Sequence, residues 1–394
     1  MKKFSADQVF PISSPPIENG VVITDDAGKI LAIESREQHD PASLEIHRGI
    51  LVPGFVNTHC HLELSHMKGK VHTGTGLIPF ITSVVTQRNA SPEAIAEAIE
   101  RAEAEMLAGG IVALGDISNA PDTFPVKSKG RMRYYTFVEL FDFLQEANAE
   151  KTFSDWKAVY EKIQLAPGST RALVPHAPYS VSKSLFQKIN NFNPPLAEVT
   201  VSIHNQETPP ESELFEKGSG AFYDFYGKFN ISLEQFRPTG KPSIFYALEN
   251  MNPANRTLFV HNTLTAKADI EAAHAWSPNV FWATCPNANL YIENRLPNYQ
   301  HFLDTNARVT IGTDSLTSNW QLSILEEMKT IARFQSFVPF ETLLRWATLN
   351  GAQALGFDDT LGSLEVGKTP GVVLLQGLEA DLKLTEKATV RRLI

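Results

Sequence analysis

Cysteine is nearly absent from this chain: Cys60 and Cys285 are the only two among 394 residues. A disulfide framework is thereby excluded, and free thiols in a reducing compartment are the simpler reading. Long apolar runs are also lacking. The start, Met-Lys-Lys-Phe-Ser-Ala-Asp-Gln, is basic without an apolar segment behind it, and no window approaches a membrane-spanning length. The expectation is a cytoplasmic protein with no membrane partner. Basic clusters are missing too: a net charge of −9 leaves no electrostatic footprint for nucleic acid. Small molecules are the expected partners. With 43% hydrophobic and 20% charged residues, the composition argues against long disorder and for a sizeable core.

What is present begins with "VPGFVNTHCHLELS", residues 52–65, where two histidines follow an apolar run. If the run from Ile50 is a strand, His59 and His61 point to one side and Cys60 to the other. Two neutral imidazoles on one side form half of a tetrahedral metal site. A bare His-x-His is more often an ordinary pair, so the remaining ligands must come from elsewhere.

Both ends of the chain read as β-structure. "GVVITDDAGKILAIES" is a strand, a turn and a second strand, and "GSLEVGKTPGVVLLQG" has the same Gly-punctuated, Val- and Leu-rich texture. Pairing of the two ends predicts one small β-sandwich-like domain from residues 1–52 and 358–394, with two unrelated hairpins as the alternative. Between them, β-like runs alternate with helical segments such as "SPEAIAEAIERAEAEMLAGG", with Ser91 as N-cap and Gly109-Gly110 as stop. Candidate strands end at "VPGFVNTH", "IVALGDIS", "RYYTFVEL", "RALVPHAP", "VTVSIHNQ", "TLFVHNTL", "VFWATCPN" and "ARVTIGTD". Eight strand–helix units predict a distorted (β/α)8 TIM barrel over residues 53–357, with its active site at the C-terminal strand ends. The long connection between the fifth and sixth strands, Thr208 to Asn255, carries "FYDFYGKFN". It is either an aromatic lid over a flat ring or a plain structural subdomain.

Converging strand ends would gather His59 and His61 from the first, His176 from the fourth, His204 and Glu207 from the fifth, His261 from the sixth and Asp314 from the eighth. His39, His47, His66, His72, His274 and His301 lie in connections. Five of eleven histidines at strand ends make coincidence a poor explanation.

Taken in order, "PGFVNTHCHLELS", "HAPYSVS", "HNQET", "FVHNTLT", "CPNANL", "GTDS" and "GSLEVGK" resemble the signatures of the amidohydrolase superfamily, nearest its cytosine/guanine deaminase and chlorohydrolase branch. The resemblance implies one divalent metal held by His59, His61, His204 and Asp314. Zinc is the first expectation, and iron or manganese would accept the same ligands. Zinc lowers the pKa of a bound water to about 7, making hydroxide available at neutral pH. Glu207 is then implied as a proton shuttle, His261 as a contact of the attacking water, and Asp314 as a proton acceptor as well as a ligand. His176 is implied to face substrate, or else to be hydrogen-bonded within the barrel mouth. The bridging lysine of two-metal relatives has no counterpart in "RALVPHAPYS", which favours a single metal and deamination.

Glu63 and Ser65 after the histidines, with Arg88 closing the first helix, are similar to aminodeoxyfutalosine deaminases. That similarity implies Glu63 and Arg88 in substrate binding, with Arg88 against a carboxylate; a solvated helix-end arginine is the alternative. Pro370-Gly371 replaces a common Ala-Asp pair and predicts a trimmed or differently paired outer domain. The leading expectation is therefore a metal-dependent hydrolase of carbon–nitrogen bonds that releases ammonia from a heteroaromatic amine such as a nucleobase, a nucleoside or an aminodeoxyfutalosine-like compound. The alternatives are a chlorohydrolase or other C–N hydrolase, and a non-catalytic metal-binding barrel. Relatives are often dimers, so a homodimer is an open expectation.

Overall fold

A computed structural model describes residues 1–394, the side chain at position 380 excepted. Eight parallel strands carry the molecule: Phe55–Cys60 (β1), Ile111–Ile117 (β2), Arg133–Leu140 (β3), Thr170–Pro175 (β4), Thr200–Asn205 (β5), Arg256–His261 (β6), Val280–Thr284 (β7) and Val309–Ile311 (β8). Each coincides with one of the runs expected from sequence. They form two four-stranded parallel sheets, β1 to β4 and β5 to β8. Hydrogen bonds also join the two sheets at their edges: the His204 amide donates to the His176 carbonyl at 2.9 Å, the Thr313 and Asp314 amides both donate to the His59 carbonyl at 3.0 Å, and the Thr58 hydroxyl bonds Thr310 at 2.7 Å. Apolar side chains from the strands and the surrounding helices fuse into one large core.

The helix expected after Ser91 runs from Pro92 to Ala108, with the Ser91 hydroxyl capping the Ala94 amide and Gly109 ending it. The run from Ile50 is not one strand. It divides into Ile50–Pro53 and β1, which belong to different sheets. The physical reason is Gly54, where a Cβ would stand 2.3 Å from Val112 and 2.7 Å from the Pro370 carbonyl, so only glycine lets the chain cross there.

Strands from both ends of the chain share a five-stranded sheet in which Val372–Gln376 lies between Ile50–Pro53 and Thr389–Arg392. Val372–Gln376, which follows Pro370-Gly371, is thus paired on both sides. A second four-stranded sheet holds the expected hairpin, Gly20–Thr24 against Ile30–Ser35. The two sheets share a small apolar core that includes Phe4, Val22, Leu51 and Leu374. Among the described residues, no helix is long and apolar enough to cross a membrane.

Candidate metal centre and active site

His59 near the end of β1 and His61 just beyond it have ring centroids 5.0 Å apart, and the turn after β8 brings Asp314 against them. Asp314 Oδ1 lies 3.6 Å from His59 Nε2 and 3.4 Å from His61 Nε2. Their approach depends on Gly312, where a Cβ would meet His59 Cβ at 2.9 Å and Cys285 Sγ at 3.0 Å. Asp314 and His261 both adopt positive φ, 56° and 69°, which turns the chain sharply out of its strand at the sheet mouth. Ring centroids of His59 and His204 are 4.9 Å apart, and those of His204 and His261 are 5.4 Å apart.

Ligand atoms of His59, His61 and Asp314 all lie within 4.8 Å of one another, as do those of His59, His204 and His261. The donor set fits a divalent cation in three further respects. Both ring nitrogens of the fully buried His59 lack a hydrogen-bond partner, a costly arrangement unless something else fills that role. His204 Nδ1 donates to the His176 carbonyl at 2.8 Å, and His261 Nδ1 to Asn289 Oδ1 at 2.9 Å, so in the neutral form of each ring the free electron pair is on Nε2. Ser318 Oγ donates to Asp314 Oδ2 at 2.6 Å, leaving Oδ1 toward the imidazoles.

Electrostatics follow from burial. It pushes His59, His61 and His261 down to about 4 and His176 to about 3, so these rings are neutral at physiological pH. His204 departs from this: burial would lower it, but the charge of Glu139 lifts it to about 10. Burial would raise Asp314, yet the surrounding imidazoles hold it well below the usual carboxylate range. Glu207 is pushed well above that range by burial, against the pull of His204 and with the charges of Asp314 and Glu211 adding to the rise. The Glu207 carboxyl faces the imidazole cluster, with Oε1 3.7 Å from His261 Nε2.

A cavity of about 220 Å³ opens from this cluster. Glu207, His261, Asp314, His61, His204, His176, Glu63 and Arg88 all line it, so the sequence-predicted residues meet there apart from His59, buried behind its wall. Glu63 is already engaged, since Oε2 accepts the Asn119 and Ala120 amides at 2.9 and 3.0 Å. Burial, opposed by Arg88, raises it to about 7. The outer wall is apolar. Helix Leu77–Gln87 (α1) contributes Leu77, Phe80, Ile81 and Val84, and the long connection after β5 contributes Phe225 and Tyr226.

Sequence reasoning missed Glu139, at the end of β3, whose Oε1 lies 3.2 Å from His204 Nδ1. The strand-end rule that found the histidines was available in "RYYTFVEL", but a lone glutamate there carried no motif. Asn289 was quoted within "CPNANL" without a role; its contact with His261 exists only in three dimensions.

Comparison with known proteins accords with this geometry. The profile of the Amidohydrolase family matches residues 50–391. The chain belongs to the amidohydrolase family. An adenosine deaminase from Helicobacter pylori is 27% identical over 326 residues, covering 81% of this chain and 77% of its own length. An aminodeoxyfutalosine deaminase from Nitratiruptor sp. is 27% identical over 351 residues, covering 86% and 80%. The solved structure of Helicobacter pylori aminofutalosine deaminase in complex with methylthio-coformycin superposes with a TM-score of 0.83 at 23% identity, covering all of both chains. This amidohydrolase is accordingly a hydrolase of carbon–nitrogen bonds, with deaminases as its relatives.

Proposed function

We propose that this amidohydrolase is a metal-dependent deaminase of adenine-type nucleosides, converting the aromatic C–NH2 group to a carbonyl and releasing ammonia. The observation that carries the reading is the Glu207 carboxyl, buried 3.7 Å from His261 on the wall that also presents His61, His204 and Asp314. Deaminase relatives whose names specify adenosine and aminodeoxyfutalosine support the substrate class.

In this reading His59, His61, His204 and Asp314 hold one divalent ion, and orphaned His59 supports their assignment. Zinc suits three imidazoles and a carboxylate, and when bound it supplies Lewis acidity that makes water nucleophilic near pH 7, of order ~7 for the water itself.

The chain's own groups do the rest. His261, fixed by Asn289, orients the water, and Asp314 takes up its proton as oxygen adds to the amine-bearing carbon. Glu207 starts protonated and gives its proton to the adjacent ring nitrogen as that bond forms. It then takes the remaining proton from the added hydroxyl and passes it to the amine, the C–N bond breaks, ammonia leaves as the ring carbonyl forms, and the proton held by Asp314 returns to Glu207.

The flat ring sits against His176, while its substituent runs between α1 and the aromatic pair Phe225 and Tyr226, which serve as part of a lid. Arg88, exposed where α1 ends, suits an anionic terminus on that substituent, and Glu63 fixes the opposite loop. The eight strands close as one barrel over residues 53–357, and residues 1–52 and 358–394 make a separate small β domain.

Ammonia release from metal-loaded protein across adenosine, methylthioadenosine, aminodeoxyfutalosine, guanine and cytosine tests the proposal. Turnover confined to the adenine nucleosides is expected; release from cytosine or guanine alone would overturn the substrate class.

A further inference from the structure

Behind the turn that carries His61 lies a buried ion pair that the chemistry above does not use. Asp116, on β2 directly across from Cys60 of β1, is fully buried, and its Oδ2 meets Lys127 Nζ at 2.6 Å. Lys127 is 3% exposed and donates also to Ser118 Oγ at 2.7 Å and to Thr136 Oγ1 at 3.2 Å. Neither residue lines the cavity, and neither belongs to a group of candidate metal ligands.

The other carboxylate oxygen shows what the pair holds. Asp116 Oδ1 accepts the amide of Leu62, the residue after His61, at 2.8 Å. The chain turns at His61, with φ −116° and ψ 78°, from β1 into the short helix Leu62–Met67, and no side chain at His61 caps that helix. The first amides of a helix have no acceptor within it, and Asp116 supplies one from the neighbouring strand. One residue further on, Glu63 Oε2 takes the Asn119 and Ala120 amides, so β2 and the loop after it grip the turn twice.

A buried ion pair is by itself a weak source of stability, because desolvating two charges offsets their attraction. This one fixes an oxygen in place. Lys127 and Ser118 hold Oδ2, and the planar carboxylate then directs Oδ1 at the Leu62 amide as a charge-assisted hydrogen bond. A backbone pinned one residue beyond His61 sets where that imidazole stands relative to His59 and Asp314.

We propose that Asp116, oriented by Lys127, is a positioning residue for the metal centre that acts on His61 through the Leu62 amide. The inference rests on the reading of His61 as a metal ligand and adds the group that places it.

The test compares wild type with Asp116→Asn/Lys127→Met and Asp116→Leu/Lys127→Met. Both double variants lack the two charges, but only asparagine keeps an oxygen for the Leu62 amide. Zinc affinity is measured by chelator competition, the visible spectrum is recorded after cobalt(II) loading, and thermal unfolding of the metal-free chain reports folding. The asparagine variant is expected to match wild type in zinc affinity and cobalt spectrum. The leucine variant is expected to bind zinc about 10- to 100-fold more weakly, the range for losing a group that supports a ligand, with an altered cobalt spectrum. Should the leucine variant not fold, Asp116→Ala/Lys127→Met takes its place with the same expected result. Wild-type zinc affinity in a folded variant without the acceptor, or equal losses in both double variants, would overturn the proposal. Failure of wild type itself to bind zinc would instead overturn the metal reading beneath it.

Discussion

Glu211 accepts the backbone amides of both Gln206 and Glu207 through its two carboxylate oxygens, at 3.1 and 3.0 Å. It sits in the first turn of helix Pro209–Lys217 and reaches back over the helix start, tying down the turn that carries the acid. From the other side, Glu293 Oε1 receives the Thr208 hydroxyl at 2.7 Å and the Leu77 amide at 2.8 Å, joining that turn to the entry of α1. Glu211→Ala should lower kcat by about 10- to 100-fold with little change in KM, because small misplacements of a catalytic group cost that much. Steady-state kinetics with metal analysis check this; a change in KM alone would remove Glu211 from the positioning of Glu207.

Replacing Glu207 itself by Gln should preserve metal content and lower kcat by about 10²- to 10⁴-fold, the range for loss of a general acid–base group. Ammonia release and elemental analysis on one sample provide the check. Unchanged turnover would take Glu207 out of the chemistry.

Metal removal should destabilise the fold. With ligand at ~100 times its dissociation constant, binding to the folded state adds about 2.7 kcal/mol. A chelated sample should therefore unfold at lower temperature and recover with zinc, and His59→Ala should abolish the response. Thermal unfolding with and without chelator measures it; identical midpoints would speak against a metal at this site.

Glu327 offers a pH test away from the cluster. Burial pushes its carboxyl up to about 7, against the donors Asn287, Asn319 and Gln321, so the folded chain holds this proton more tightly than the unfolded chain with its ordinary 4.5. Its contribution is complete below pH 4.5 and is lost as pH rises toward 7. The loss is on the order of 3 kcal/mol. Denaturant titrations of wild type and Glu327→Gln across that window should show the slope in wild type and not in the variant. Parallel curves would exclude Glu327 as its source.

Alternation and punctuation were legible in the linear chain. The eight strands, the helix between Ser91 and Gly109, and the histidines at strand ends all follow from local rules, because side-chain direction in a strand and capping at a helix end are set by near neighbours. The break at Gly54 was not legible, since it depends on Val112 and the Pro370 carbonyl approaching from remote parts of the chain.

The sequence by itself determined which residue types stand at the strand ends, and hence that imidazoles and a carboxylate could converge. Tertiary structure alone decided which nitrogen of each ring is free, through the His176 carbonyl and Asn289, and that Glu139 joins the same wall with an oxygen unpaired. Tautomers and orphaned charges are properties of surroundings, and those surroundings exist only once distant strands lie side by side.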